Sequence, residues 1–275
     1  MNCKIKKILD YLQNQKGFDF SGYRRSLLER RINKRLLATE TGNFNEYCTF
    51  LTNNQIEADE LIDALTINVS QFFRNPLVFE FISEKLLPPM IFEKLQRYKK
   101  YLRIWSAGCA SGEEAYSLAI IFNEFLEKEK LELDLRIFAT DIDKKSLKSA
   151  KRGVYNFESI KDVRYGLLSK YFIQKNNSFR IVSKIKNMVN YSSYDLLEKN
   201  SYAPPESIFG NFDLIFCRNV LIYFNLEYQE KIFEKLHRSL VPKGYLILGE
   251  AEMISKRYQR YFTSLSEYLK IFKKS

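Results

Sequence analysis

The chain is 275 residues long, 45% hydrophobic and 15% aromatic, which suits one large domain or two unequal ones and excludes a disordered polymer. No run approaches the roughly 18 uninterrupted apolar residues of a membrane-spanning helix. The start, MNCKIKKILDYLQNQ, is broken by charges and amides before an apolar signal segment forms, so a cytoplasmic protein without membrane insertion is expected.

A formal net charge of +11 favours an acidic partner. Residues 4–35 hold ten basic side chains against three acidic ones, Asp10, Asp19 and Glu29. The opening residues, to about 75, read as helices alone. YRRSLLERRINKRLL spaces Leu28, Ile32 and Leu36 as an apolar stripe, with Arg24, Arg31 and Arg35 grouped beside it. NFNEYCTFLTNNQIEADELIDALTINVSQFF continues as two further amphipathic helices. Pro88 and Pro89, then the charged IFEKLQRYKK, mark an expected join. The expected division is a helical domain over 1–85, a linker over 86–100 and a second domain over 101–275.

From Tyr101 strands alternate with helices. YLRIWSAG, LRIFATDID, NFDLIFCRNVLIYF and GYLILGEAE are strand-like, and EEAYSLAIIFNEFLEKEK, KKSLKSAKRG and LEYQEKIFEKLHRSL are helical between them. That alternation predicts a doubly wound α/β fold with a parallel sheet. Residues 154–190 break the rhythm: FRIV and MVNYSSY, around a polar KNNS turn, predict a small β-subdomain inserted there.

In open α/β sheets ligands bind at the carboxyl ends of strands, where strand order reverses. The first strand ends in the small-residue turn Ser106–Gly112 and opens a helix at Glu113-Glu114. This is neither GxGxxG nor a phosphate-gripping GK[ST] loop, and acids at a helix start disfavour phosphate. The second strand ends at Asp141, with Asp143 beyond; a carboxylate there holds ribose hydroxyls in folds of this kind, or caps the next helix. A small-residue turn, a strand-end acid and no phosphate loop together point to S-adenosylmethionine. Four scattered cysteines and the single His237 supply no metal-ligand spacing and no nucleophile–histidine pair, so no metal is expected.

NVSQFFRNP (68–76), WSAGCASGEEAYSLA (105–119), ATDID (139–143) and FCRNVLIYF (216–224) occur in this order. Together they resemble the CheR family of chemotaxis receptor methyltransferases. The resemblance implies a Rossmann-like S-adenosylmethionine-dependent methyltransferase sheet with a small β-subdomain, preceded by an all-α domain. It implies methyl transfer to glutamate side chains of methyl-accepting chemotaxis receptors, which are acidic helical bundles, with S-adenosylhomocysteine as product. Matched to the family's motifs, Asn68, Ser70, Arg74, Gly108, Glu114, Asp141, Asp195, Leu196, Arg218 and Asn219 are cofactor positions. Glu113 is the alternative to Glu114, and Asp195 stands where relatives often have Asn. Arg74 would orient the substrate carboxylate and Tyr223 would flank the transferred methyl, while Arg24, Arg31 and Arg35 would align the receptor. A monomer is expected. A nucleic-acid methyltransferase and a non-catalytic cofactor-binding module are the competing readings; the aromatics fall at core spacing rather than as a stacking platform, which disfavours nucleic acid. YFIQKNNSFRIV lacks the longer glycine-rich loop of members that tether to a receptor's carboxy-terminal peptide, so no tether is expected.

Overall fold

The computed structural model describes residues 3–66, 70–96, 101–207 and 210–275, which fall into two compact units. One comprises residues 1–68 together with 222–229; the other holds 69–221 and 230–275.

Helices Cys3–Lys16, Arg25–Ala38, Phe44–Asn53 and Gln55–Leu65 build the first unit. Their starts are written locally. The Asn43 side chain accepts the N–H groups of Asn45 and Glu46, and Glu46 reaches back to the N–H of Gly42. Asn54 does the same for Ile56 and Glu57. Leu28 and Ile32 join Ile5, Ile8, Leu12, Leu51 and Leu61 in one buried cluster, as the stripe predicted.

Among the described residues of the second unit there are ten strands: β1 (Tyr101–Ala107), β2 (Asp134–Asp141), β3 (Val154–Tyr155), β4 (Phe172–Lys175), β5 (Ser178–Ile181), β6 (Val189–Ser193), β7 (Phe212–Cys217), β8 (Leu240–Leu248), β9 (Phe262–Ser266) and β10 (Ile271–Lys274). Seven form one sheet in the order β6-β2-β1-β7-β8-β10-β9. Pairings are parallel from β6 to β8, and β10 runs antiparallel to both its neighbours. The central β7 is buried along its whole length, which is why FDLIFC reads as a continuous apolar run. The chain winds from β1 outward through β2 to β6, then crosses back to β7 on the other side of β1. The switch point lies between β1 and β7.

Two expectations change. MVNYSSY does not belong to the inserted subdomain: Val189–Ser193 pairs in parallel with β2 as the edge of the main sheet, with Val189 and Tyr191 facing inward. The small three-stranded sheet is instead β3-β5-β4, its hairpin closed at Asn176, whose left-handed backbone asparagine tolerates. The join expected at 86–100 is helical as far as Gln96. Pro76–Phe81, a π-helical stretch Ile82–Leu86 and Leu87–Gln96 run without a break. Pro88 and Pro89 have no N–H to give and crowd the preceding turn; the widened π turn just before them absorbs that misfit. Beyond these, the C-terminal residues form the antiparallel β9–β10 hairpin.

Candidate active site

The ends of β1 and β7 are neighbours, with Ser106 in register with Phe216. After β1 the chain turns through left-handed backbone at Gly108 (φ 79°), Ala110 (φ 47°) and Gly112 (φ 93°). Gly108 and Cys109 both donate their N–H to the carbonyl of Thr140, at 2.8 and 2.9 Å. A Cβ on Gly112 would stand 2.5 Å from the Tyr191 hydroxyl and 2.8 Å from the Ala150 methyl. Two hydroxyls fasten the outer carbonyls: Tyr155 donates to Ser111 at 2.8 Å and Tyr191 to Gly112 at 3.4 Å. The small residues are there because backbone, not side chain, must fill this corner.

Asp141 closes the same corner. Its Oδ2 accepts the N–H of Ala110 at 2.8 Å, and its Oδ1 that of Asp143 at 2.9 Å. Burial pushes its carboxyl up, and these hydrogen bonds partly counter that. Helix capping falls to Asp143 instead, which accepts the Lys145 N–H and the Ser146 hydroxyl.

The two acids after the turn have different surroundings. Glu113 is held by the hydroxyls of Ser111, Ser70 and Ser159, and so ties the 70s segment to the helix start. Glu114 accepts the Ser106 hydroxyl at 2.7 Å and lies 3.8 Å from an Arg218 nitrogen. Burial raises its carboxyl above the usual range; Arg218, and more weakly Arg74, pull it back.

Arg218 is almost wholly buried and donates to the Arg74 carbonyl at 3.0 Å and the Asn75 side-chain oxygen at 2.9 Å. Its Nε is buried without a hydrogen-bond partner among the described residues. Asn219 adopts left-handed backbone (φ 58°). Glu252, 3% exposed, sits against this turn and gathers backbone N–H groups from it. The sequence reading missed Glu252. GEAE at a strand end offered two acids and nothing to distinguish Glu250 from Glu252.

The 70s segment reaches the same place. Phe73 donates its N–H to the Ser117 hydroxyl at 3.0 Å, and Phe73 and Asn75 both take left-handed backbone. Arg74 is exposed, close enough to influence the ionisation of Glu114 and Arg218. After β6, Tyr194 donates its N–H to the Asp141 carbonyl at 3.1 Å, Asp195 accepts the Leu197 N–H at 2.8 Å, and Leu196 is buried. Ser70, Arg74, Gly108, Glu114, Asp141, Asp195, Leu196, Arg218 and Asn219 therefore gather at the carboxyl ends of β1, β2, β6 and β7. Asn68 lies outside the described residues.

In the first unit the expected basic face of Arg24, Arg31 and Arg35 does not form as such. Arg31 is 8% exposed and donates to the carbonyls of Ala64 and Leu65 at 2.7 and 2.9 Å. Arg35 pairs with the buried Glu57 at 2.5 Å. These two side chains serve the unit's interior, because the last carbonyls of helix Gln55–Leu65 and a buried carboxylate need donors. Within residues 24–35 the exposed cations are Arg24, Arg25, Arg30 and Lys34. Tyr223 also belongs to this unit: its carbonyl accepts the Arg24 N–H at 2.8 Å, and the Arg31 guanidinium stands 5.9 Å from its ring centre.

Other reactive groups stay in structural surroundings. Burial pushes the Cys109 and Cys217 thiols up, and His237 packs among Tyr258, Tyr261 and Phe262. Among the described residues no group of three or more His, Cys, Asp and Glu could hold a metal ion, and no helix is long and apolar enough to cross a membrane.

Residues 4–66 match the family described as CheR methyltransferase, all-alpha domain, and residues 68–269 match CheR methyltransferase, SAM binding domain. Chemotaxis protein methyltransferase from Borreliella burgdorferi is 33% identical over 254 residues, covering 91% of this chain and 88% of that protein. Chemotaxis protein methyltransferase 2 from Vibrio cholerae is 32% identical, with 92% and 85% covered. Chemotaxis protein methyltransferase from Salmonella typhimurium is 31% identical, with 94% and 87% covered. The chain belongs to the CheR methyltransferase family, with an all-α domain followed by an S-adenosylmethionine-binding methyltransferase domain.

Proposed function

We propose that the chain transfers a methyl group from S-adenosylmethionine to glutamate side chains of methyl-accepting chemotaxis receptors in the cytoplasm, forming methyl esters and releasing S-adenosylhomocysteine. The observation that carries this is the set of acids, Asp141 buried and Glu114 partly buried, with the buried Arg218 at the switch point between β1 and β7. The site residues suit the cofactor's chemistry. Asp141 keeps lone pairs for ribose hydroxyls, Glu114 offers negative charge to an ammonium, and the unpartnered Arg218 Nε is a donor for a carboxylate. The tight Gly108–Gly112 turn brings backbone close without a phosphate-binding lysine.

When bound, S-adenosylmethionine supplies an electrophilic methyl on a sulfonium that leaves readily. A glutamate side chain, with an ordinary pKa of about 4.3, is already ionised at neutral pH and needs no general base. The protein's part is then positioning and electrostatics. Arg74, exposed beside the acid–arginine cluster, is the group to grip the substrate carboxylate, since a guanidinium binds it through two parallel hydrogen bonds. The family pattern assigns Tyr223 to the methyl path. Of the expected trio Arg24 remains exposed, and with Arg25, Arg30 and Lys34 on the first unit it supplies the charges that would steer an acidic receptor bundle.

The test uses methyl-labelled S-adenosylmethionine, this protein and the cytoplasmic fragment of a receptor from the same cell, followed by alkali. Receptor-dependent label released as volatile methanol is the expected result. Alkali-stable label, or label on nucleic acid, would overturn the glutamate assignment. Cofactor binding without any transfer would favour a sensor.

A further inference from the structure

β8 ends at Leu248, and the following turn, closed by the Glu252 N–H on the Gly249 carbonyl at 2.9 Å, folds the Glu252 side chain back toward the end of β7. Its Oε2 accepts the N–H of Gly249 at 2.6 Å and of Asn219 at 3.0 Å. Oε1 accepts the N–H of Val220 at 2.8 Å and of Leu221 at 2.7 Å. One buried carboxylate thus gathers four backbone donors from two loops. Three of them are consecutive and begin at Asn219, whose left-handed backbone turns its N–H and the next two toward the same carboxylate. Gly249 makes the approach possible: a Cβ there would lie 2.8 Å from both the Asn219 nitrogen and Glu252 Oε2.

We propose that Glu252 is a positioning residue for the cofactor site, presetting the Arg218–Asn219 turn through its backbone before any ligand arrives. The inference rests on the reading of that pair as cofactor contacts. Only an ionised carboxylate can serve. An amide of the same shape has a single acceptor oxygen for two of the four N–H groups and turns its own donors against the other two. Buried backbone donors left without an acceptor find one by moving, and here movement displaces Arg218 and Asn219 from the corner they share with Glu114 and Arg74. A turn held in its binding geometry spares the ligand the ordering penalty, so the effect is read in affinity.

Glu252→Gln, Gly249→Ala and Arg218→Lys would each be compared with the unaltered protein for S-adenosylhomocysteine affinity by calorimetry, well below each thermal midpoint. Steady-state constants for both substrates complete the comparison. Glu252→Gln is expected to weaken S-adenosylhomocysteine binding about tenfold or more and to raise the cofactor KM in parallel, with the receptor KM unchanged. Glu252→Asp, which restores the charge, should recover part of the loss. If Glu252→Gln yields no folded protein, Gly249→Ala carries the test with every charge retained and the same result expected. A lowered thermal midpoint with unaltered affinity in the folded variants would overturn the proposal and leave Glu252 a purely structural group. Arg218→Lys separates the two readings: normal affinity in that variant refutes the cofactor role of the pair. Weakened binding in Arg218→Lys beside normal binding in Glu252→Gln refutes the positioning role alone.

Discussion

Replacing Arg31 by alanine asks whether this cation steers a substrate or holds its own unit together. Its Nη1 donates to Ala64 and Leu65 at 2.7 and 2.9 Å, two carbonyls at the end of helix Gln55–Leu65 that have no partner within the helix. A hydrogen bond to a charged group contributes about 1.5–3 kcal/mol, and a cation at a helix C-terminus up to about 2 kcal/mol in partly buried geometry. These contributions overlap, and burying the guanidinium offsets part of them, so Arg31→Ala should destabilise the helical unit by about 2–4 kcal/mol. For a unit of this size each kcal/mol moves the thermal midpoint by about 4–8 °C, so a fall of about 10 °C or more is expected by circular dichroism. Arg30→Ala, at an exposed position one residue away, should stay within about 0.5 kcal/mol. A steering cation would behave in the opposite way, altering salt-dependent rates and leaving stability alone. Equal unfolding of the Arg31 and Arg30 variants would refute the structural assignment.

Glu57→Ala removes the buried partner of Arg35 and of the Tyr47 hydroxyl, at 2.5 and 2.6 Å, and should cost about 3–5 kcal/mol, visible as a lowered urea midpoint. Gly112→Ala puts a Cβ 2.5 Å from the Tyr191 hydroxyl at a backbone φ of 93°. The turn must shift, so S-adenosylhomocysteine affinity should fall even if the variant folds; unaltered calorimetric binding would refute that. Burial raises the Glu114 carboxyl above its unfolded value, so its proton favours the folded cofactor-free state below about pH 4 and that advantage is lost as pH rises through the raised value. Stability of Glu114→Gln relative to the unaltered protein should therefore grow from about pH 4 upward; a difference in urea unfolding that stays flat across pH would contradict the assignment. The hairpin between β4 and β5 turns at Asn176 with no glycine. Titration with a receptor's carboxy-terminal peptide should give no saturable binding at micromolar concentration, and a micromolar Kd would refute the inference.

Periodicity and turn chemistry made the helical amino-terminal unit legible, and the alternation after Tyr101 did the same for the parallel sheet, because each burial pattern follows from local geometry alone. The candidate site was readable wherever it coincides with a strand end or a local motif: Glu114, Asp141 and Arg218 all follow strands that read plainly as apolar runs. Residues whose role is fixed by distant partners were not readable. Nothing local tells that Arg31 caps a helix some thirty residues away, nor that Glu252 rather than Glu250 meets the turn after β7. The edge strand Val189–Ser193 was misassigned for a related reason: short polar-faced strands look alike whether they end a large sheet or build a small one. Pro88 and Pro89 misled because their misfit is absorbed by a π turn that sequence does not announce.

The helical unit is discontinuous, and this bears on its biogenesis. Phe224 packs on Tyr23 and pairs with it as an isolated bridge, while Asn225 donates its N–H to the Gly22 carbonyl at 2.9 Å. On the ribosome, residues 1–68 emerge about 150 positions before the 222–229 segment that completes them. At roughly 5–20 residues per second that interval is about 10–30 s. The nascent helices spend it with the edge around Gly22 and Tyr23 uncovered, so a chaperone that engages this chain during translation has its longest opportunity there, and a fragment ending at residue 68 keeps the same edge bare permanently.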